Sequence, residues 1–270
     1  MNTNAPEIES ILAKRDSAHI YIQTLGNFGV TIDGQRIDAK RFGRDVSLQL
    51  FQFLITSRHR QGLHKEQIID RIWYDLDGKA GLQNFKVAHH GANKTLEPNR
   101  PRGNEPSFIV RNGAIYHLNM ESVSVDIDVM ESLIALGNEH YHGDSTVAKQ
   151  AYTKALELDH GTYMTNRLYE DWSSEERERI QLLIINAYMS LSELHLSTLP
   201  AETIRLSQRA LQIDNTWEEA YRLQMQAYQI TGNRPMVIKT YNACEAILEK
   251  EFGIDPLPET RKVLDESRSM

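Results

Sequence analysis

With 270 residues, 40% of them hydrophobic and 25% charged, and a net charge of −7, the chain has the make-up of a globular protein large enough for two cores. Its one cysteine, Cys244, excludes an internal disulfide and a cysteine-based zinc site, and no apolar run approaches the ~20 residues that span a bilayer. The opening MNTNAPEIES lacks the basic start and apolar block of a secretory signal, so the expected location is cytoplasmic.

Residues 1–18 read as a polar arm, with a short helix over Ile8–Lys14. Residues 19–122 follow as a first domain. HIYIQTLGNFGVTIDGQRID carries β-branched and aromatic residues broken at Gly26-Asn27 and Asp33-Gly34, which predicts a small antiparallel sheet. In RDVSLQLFQFLITSR, Val46, Leu50, Phe53 and Leu54 recur at helical spacing and predict a helix with one apolar face. A second helix covers KEQIIDRIW, and the loop YDLDGK leads to a third that ends before Pro98. SFIV and AIYHL then flank Arg111-Asn112-Gly113, where Asn-Gly predicts a type I′ hairpin. Strands, three helices and a closing hairpin are the order of a winged helix.

From residue 123 to 270 the texture is helix after helix. Ile180, Leu183, Ile184, Ala187, Tyr188, Leu191 and Leu194 form one apolar stripe. Ser173 with Glu176, and Thr216 with Glu219, have capping-box spacing, while Gly232-Asn233 and Pro235 mark a helix end and the next start. ALELD at 155–159 is echoed by ALQID at 210–214, and residues 202–252 fit about one and a half tetratricopeptide-like units of ~34 residues. The expected fold is therefore an α+β winged helix followed by an all-α, tetratricopeptide-like repeat domain. The basic excess lies in the first domain and the acidic excess in the second.

Several residues carry a resemblance to a known family. They are Ala155, Leu156, Leu158, Gly161, Asp171, Trp172, Glu176 and Arg177, then Asp214, Glu219, Ala220, Tyr221, Gly232, Tyr241 and Leu248, with Gly253 and Pro256 closing the pattern. Ile72-Trp73 and Leu96-Glu97-Pro98 fit in the first domain. Over roughly residues 20–260 the chain resembles bacterial transcriptional activators related to the Streptomyces antibiotic regulatory proteins. These join an OmpR-type winged helix to a helical activation domain. It departs from them where their recognition helix ends in a Leu-Arg-Arg-like cluster. Here the chain reads Gly91-Ala92-Asn93-Lys94, with a glycine that weakens a helix by about 1 kcal/mol relative to alanine.

The resemblance implies double-stranded promoter DNA arranged as direct repeats, RNA polymerase recruitment and a homodimer on DNA. The residues hold no nucleophile motif, phosphate-binding Gly-rich loop or HExxH, so no cofactor, metal, membrane or catalysis is expected. On a helical wheel Leu82, Phe85, Ala88, Ala92 and Leu96 fall on one side of the third helix. Gln83, Lys86, Val87, His90 and Lys94 fall on the other. Lys86 and Lys94 suit phosphate or a guanine edge, Gln83 an adenine edge, and Val87 a thymine methyl. Arg111 at the hairpin tip suits a minor groove or a phosphate. Tyr74, Asp75 and Asp77 occupy the loop that meets polymerase in OmpR-like activators.

Two rival sites are weak. His140-Tyr-His142 with Asp144 lacks a second metal-ligand cluster, and Glu175, Glu176 and Glu178 suit a helix start. The concave face of the repeats suits a peptide or small effector, with no residue naming it. A second functional reading, a protein-interaction adaptor whose winged helix no longer reads DNA, rests on Gly91 and the absent arginine cluster.

Overall fold

The computed structural model describes residues 5–269; residues 1–4 of the expected arm lie outside them. The elements run α1 (Pro6–Asp16), β1 (Ile20–Gln23), β2 (Gly29–Ile32), β3 (Gln35–Ile37), α2 (Asp45–Thr56), β4 (Leu63–His64), α3 (Lys65–Ile72), α4 (Gly78–Leu96), β5 (Ile109–Asn112), β6 (Ile115–Leu118) and β7 (Val123–Val125). Helices α5 (Asp126–His140), α6 (Ser145–Leu156), α7 (Ser174–His195), α8 (Pro200–Ile213), α9 (Glu218–Ile230), α10 (Arg234–Phe252) and α11 (Pro258–Ser269) complete the chain. The fold is a winged-helix-like α+β region followed by an all-helical one. The chain divides into two compact units. One comprises Ser10–Val129 and His160–Glu178; the other holds the stretch ending at Glu9, Met130–Asp159 and the chain from Arg179 onward. No helix among the described residues is long and apolar enough to cross a membrane.

In the first of these units, a four-stranded sheet has the order β3-β2-β1-β7, with β1 and β2 antiparallel and β1 and β7 parallel. Ile20 and Ile22 alternate inward along β1, as a half-buried strand requires. Asp33 and Gly34 both take positive φ, 49° and 75°, the pattern of the type I′ turn that the Asp-Gly pair predicts. Where β1 ends, the buried Asp126 carboxylate accepts from the backbone N–H groups of Thr24 (2.8 Å), Leu25 (2.9 Å) and Ile127 (2.8 Å). Burial pushes its pKa up while these donors pull it down.

Helix α2 departs from the expectation of a single apolar face. Gln49 and Gln52 are buried together with its apolar residues, because residues 160–178 pack along its polar side. The Gln52 amide donates to Asn166 (3.1 Å), and Arg167 donates to Gln52 (2.8 Å) and to both oxygens of Asp45 (3.0 and 2.6 Å). Phe53 meets Trp172 edge to face at 5.7 Å. The guanidinium of Arg58, whose side chain is 1% exposed, binds Asp128 and Glu176.

The second expected hairpin forms between β5 and β6, and β4 pairs with β6. Its turn is not type I′. Asn112 pairs with Ile115, so the central residues are Gly113 and Ala114, and only Gly113 has positive φ (62°). One positive φ at the first central position is the type II′ pattern.

The helical unit is built on close helix approach. A Cβ at Gly137 in α5 would lie 2.9 Å from the Tyr152 ring of α6, so only glycine admits that ring. Ala210, Ala220 and Ala227 are fully buried along α8 and α9, and Met225, Val237, Tyr241, Val263 and Leu264 join α9, α10 and α11 in one apolar cluster. The α9–α10 junction forms as predicted: Asn233 caps α10, with Pro235 in its first turn. The Thr216–Glu219 capping box does not form. The Ser173 hydroxyl donates to the carbonyls of Arg167 (3.0 Å) and Glu170 (2.9 Å), while Glu176 turns to Arg58. Thr216 donates its hydroxyl to Asp214 (2.6 Å) and leaves Trp217 as an uncapped N-cap. Asp144 caps α6 by accepting from Thr146 (2.9 Å). Cys244 is fully buried, and burial pushes its thiol up to about 12, which keeps it unreactive near neutral pH.

Candidate nucleic-acid interface

Helix α4 starts where Asp77 accepts from the N–H groups of Lys79 (2.9 Å) and Ala80 (2.8 Å). Phe85, Ala88, Ala92 and Leu96 turn inward as the wheel predicts, and Leu82 is half-buried. Gln83, Lys86, His90 and Lys94 are exposed, and Val87 is partly so. Asn93, beside Lys94 in the chain, is buried. Its amide donates to the His89 carbonyl at 3.0 Å and lies 3.0 Å from the His89 ring. His89 stacks on Phe85 and meets Tyr116 edge to face at 5.2 Å, so it belongs to the packing between α4 and the hairpin. Burial, reinforced by Arg100 and Arg111, pushes its imidazole down to about 4.

Glycine 91 has a packing role. A Cβ there would lie 2.2 Å from the Ser47 hydroxyl of α2 and 3.4 Å from the Phe42 carbonyl. Thr95, one turn on, donates its hydroxyl to the carbonyls of Arg41 (2.8 Å) and Gly91 (3.0 Å). These contacts draw the turn before α2 against the outer face of α4.

The result is an open cavity of about 620 Å³, lined by Lys86, Val87, His90 and Lys94 on one side and by Arg41 and Arg44 on the other. No carboxylate lines it. Arg41, Arg44, Lys86 and Lys94 are all exposed, and none pairs with a carboxylate among the described residues. Four of the six residues expected to meet DNA therefore share one wall. Gln83 lies outside the cavity on the same helix.

Arg111 is also outside it, in the hairpin, where its Nε donates to the Gly113 carbonyl (2.7 Å). The hairpin is tied to the end of α4 by Glu97, whose carboxylate accepts from the backbone N–H groups of Ser107 (2.7 Å) and Phe108 (3.0 Å) and pairs with Arg100. Arg41 and Arg44 escape a helix-based reading because they precede α2. The signal was present, as Lys40, Arg41 and Arg44 form a basic run before the first apolar helix.

Tyr74, Asp75 and Asp77 are exposed in the α3–α4 loop, with Asp77 engaged as the cap of α4.

None of the curated proteins matches the chain in sequence. Among solved structures it is similar to Mycobacterium tuberculosis EmbR, determined in complex with a low-affinity phosphopeptide. The TM-score is 0.79 at 15% identity over 93% of this chain, which spans 65% of that structure's length. At that identity the likeness shows the fold. Residues 125–267 match the model of the bacterial transcriptional activator domain. The match covers more than half of the chain, which therefore belongs to that family of transcriptional regulators.

Proposed function

We propose that the chain activates transcription by binding promoter DNA through α4, the wall of unpaired cations around it and the neighbouring hairpin. The carrying observation is charge placement. Four exposed cations without carboxylate partners surround an open cavity beside the helix whose apolar side is buried. Exposed cations of this kind gain most from a polyanion, because binding releases the counterions condensed on it.

In this reading Lys86, Lys94, Arg41 and Arg44 meet phosphates, Gln83 and Val87 read base edges, and His90 lies between them. Arg111 reaches a neighbouring groove or phosphate. The helical unit carries dimerisation, regulation or contact with the transcription machinery, and the Tyr74–Gly78 loop meets RNA polymerase. The protein acts in the cytoplasm, at the nucleoid.

A mobility shift on DNA upstream of the chain's own operon, with nonspecific competitor, tests the reading. A retarded complex that survives competitor, and that weakens when Lys86 and Lys94 are both replaced by Ala, is expected. No retarded complex would favour the adaptor reading.

A further inference from the structure

Five large apolar side chains of the winged-helix unit stand exposed among the described residues. One, Ile115, lies in the hairpin; the other four are Tyr74, Leu76, Leu168 and Tyr169. These four come from two segments far apart in sequence, yet one buried side chain bridges them. The Trp73 indole N–H donates to the Gln49 amide oxygen (3.1 Å), and the Gln49 amide donates to the Glu170 carboxylate (3.0 Å). Each bridged residue is the chain neighbour of an exposed tyrosine, Tyr74 on one side and Tyr169 on the other.

The platform beneath is rigid. Trp73 and Trp172 are buried, and the Trp172 indole donates to the second Glu170 oxygen (3.2 Å). The turn that presents Tyr169 is clamped by Arg167 on Asp45 and by Arg177, which donates to the carbonyls of Arg167 (2.9 Å) and Leu168 (3.4 Å). Tyr169 is 99% exposed on this clamped turn, and Tyr74 is 82% exposed. A tyrosine held by a stiff backbone loses little conformational entropy on binding and buries a large amphipathic ring, so it suits a binding hot spot.

Charge selects the partner. Tyr74–Gly78 and Leu168–Asp171 hold Asp75, Asp77, Glu170 and Asp171, and no lysine or arginine. DNA is repelled by such a rim, whereas a basic protein surface is attracted. We propose that the two segments form one composite docking surface, two tyrosine anchors in an acidic rim, for a basic protein surface of the transcription machinery. The inference rests on the reading that the Tyr74–Gly78 loop is the polymerase contact, and extends that contact to Leu168–Asp171.

The test places a photo-crosslinking phenylalanine analogue at position 74 or at position 169 of the full chain, bound to promoter DNA with purified RNA polymerase holoenzyme. Crosslinks from both positions to one basic region of one subunit are expected. Crosslinks from position 74 alone, or from position 169 alone, would overturn the composite surface; in the first case the loop reading survives. Silence at both positions with DNA still bound would overturn the composite surface and the loop reading together. Tyr74→Ala and Tyr169→Ala, both at exposed positions, supply a second readout. Each is expected to lower transcription in a purified system by about fivefold or more, the scale of an interface anchor, with DNA affinity unchanged. Transcription equal to that of the unsubstituted chain from Tyr169→Ala would also overturn the proposal.

Discussion

The winged-helix unit uses arginine in two opposite ways on the two sides of α2. On the side packed by residues 160–178, Arg58 and Arg167 are buried, and each guanidinium is matched to a carboxylate and an amide or carbonyl. On the side facing α4, Arg41 and Arg44 are exposed and unpaired beside Lys86 and Lys94. A buried cation without its partner carries a large desolvation penalty, whereas an exposed one stays hydrated. The first side therefore holds the unit together, and the second is free to spend its charge on another molecule. Residue type alone does not separate the two roles; the partners do.

The largest expected effect comes from breaking the paired side. Arg58→Ala removes the buried guanidinium that binds Asp128 and Glu176 and should lower unfolding stability by about 3–5 kcal/mol, the range for removing one member of a buried pair. Denaturant unfolding measures it. A loss below ~1 kcal/mol would show that the pair is only an exposed contact.

Smaller, and on the α4 side, is the effect of Gly91→Ala. Helix propensity alone predicts a gain of about 1 kcal/mol, but the new methyl group would meet the Ser47 hydroxyl at 2.2 Å. Overpacking of this kind costs about 1–3 kcal/mol, so a net destabilisation is expected, partly relieved when Ser47→Ala is added. A stabilised Gly91→Ala chain would return this glycine to the role of a mere helix weakener.

The smallest effect is a pH slope from His89, which packs between α4 and the hairpin. Its pKa falls from an ordinary 6.5 to about 4 on folding, so between these values the unfolded chain binds the extra proton. The stability this group contributes is complete above about pH 6.5 and is lost as pH falls toward 4. His89→Gln should flatten the slope of stability against pH in that window by up to one proton. Unfolding curves measured across that pH range check it; an unchanged slope would mean that His89 is solvated.

The features legible in the sequence were local. Asp33-Gly34 announces its turn through two residues that tolerate positive φ, and the alternation of Ile20 and Ile22 announces a half-buried strand. The apolar side of α4 follows from residues three and four apart. The illegible features depend on partners far along the chain. Gln49 and Gln52 look like a solvated stripe until Arg167 and Glu170, more than a hundred residues later, arrive to bond them. Ser173 has the spacing of a cap, but its hydroxyl is claimed by nearby carbonyls. Gly91 reads as a defect because a sequence does not show the neighbour that needs its missing side chain. Of the candidate interface, the α4 face was readable; the basic run at Lys40, Arg41 and Arg44 was visible too, but not its place opposite that face, which the Thr95 and Gly91 contacts across the fold set.

The central claim is that the unpaired cations exist to meet phosphates, and the salt dependence of DNA affinity tests it most directly. Affinity for one promoter fragment would be measured across a salt series for the unsubstituted chain and for one with Arg41, Arg44, Lys86 and Lys94 all replaced by Ala. At about 0.9 in the slope of log affinity against log salt per phosphate contact, the substituted chain should bind more weakly, with a slope shallower by about 3 to 4. Equal affinity and an equal slope from a chain that still folds would contradict the account.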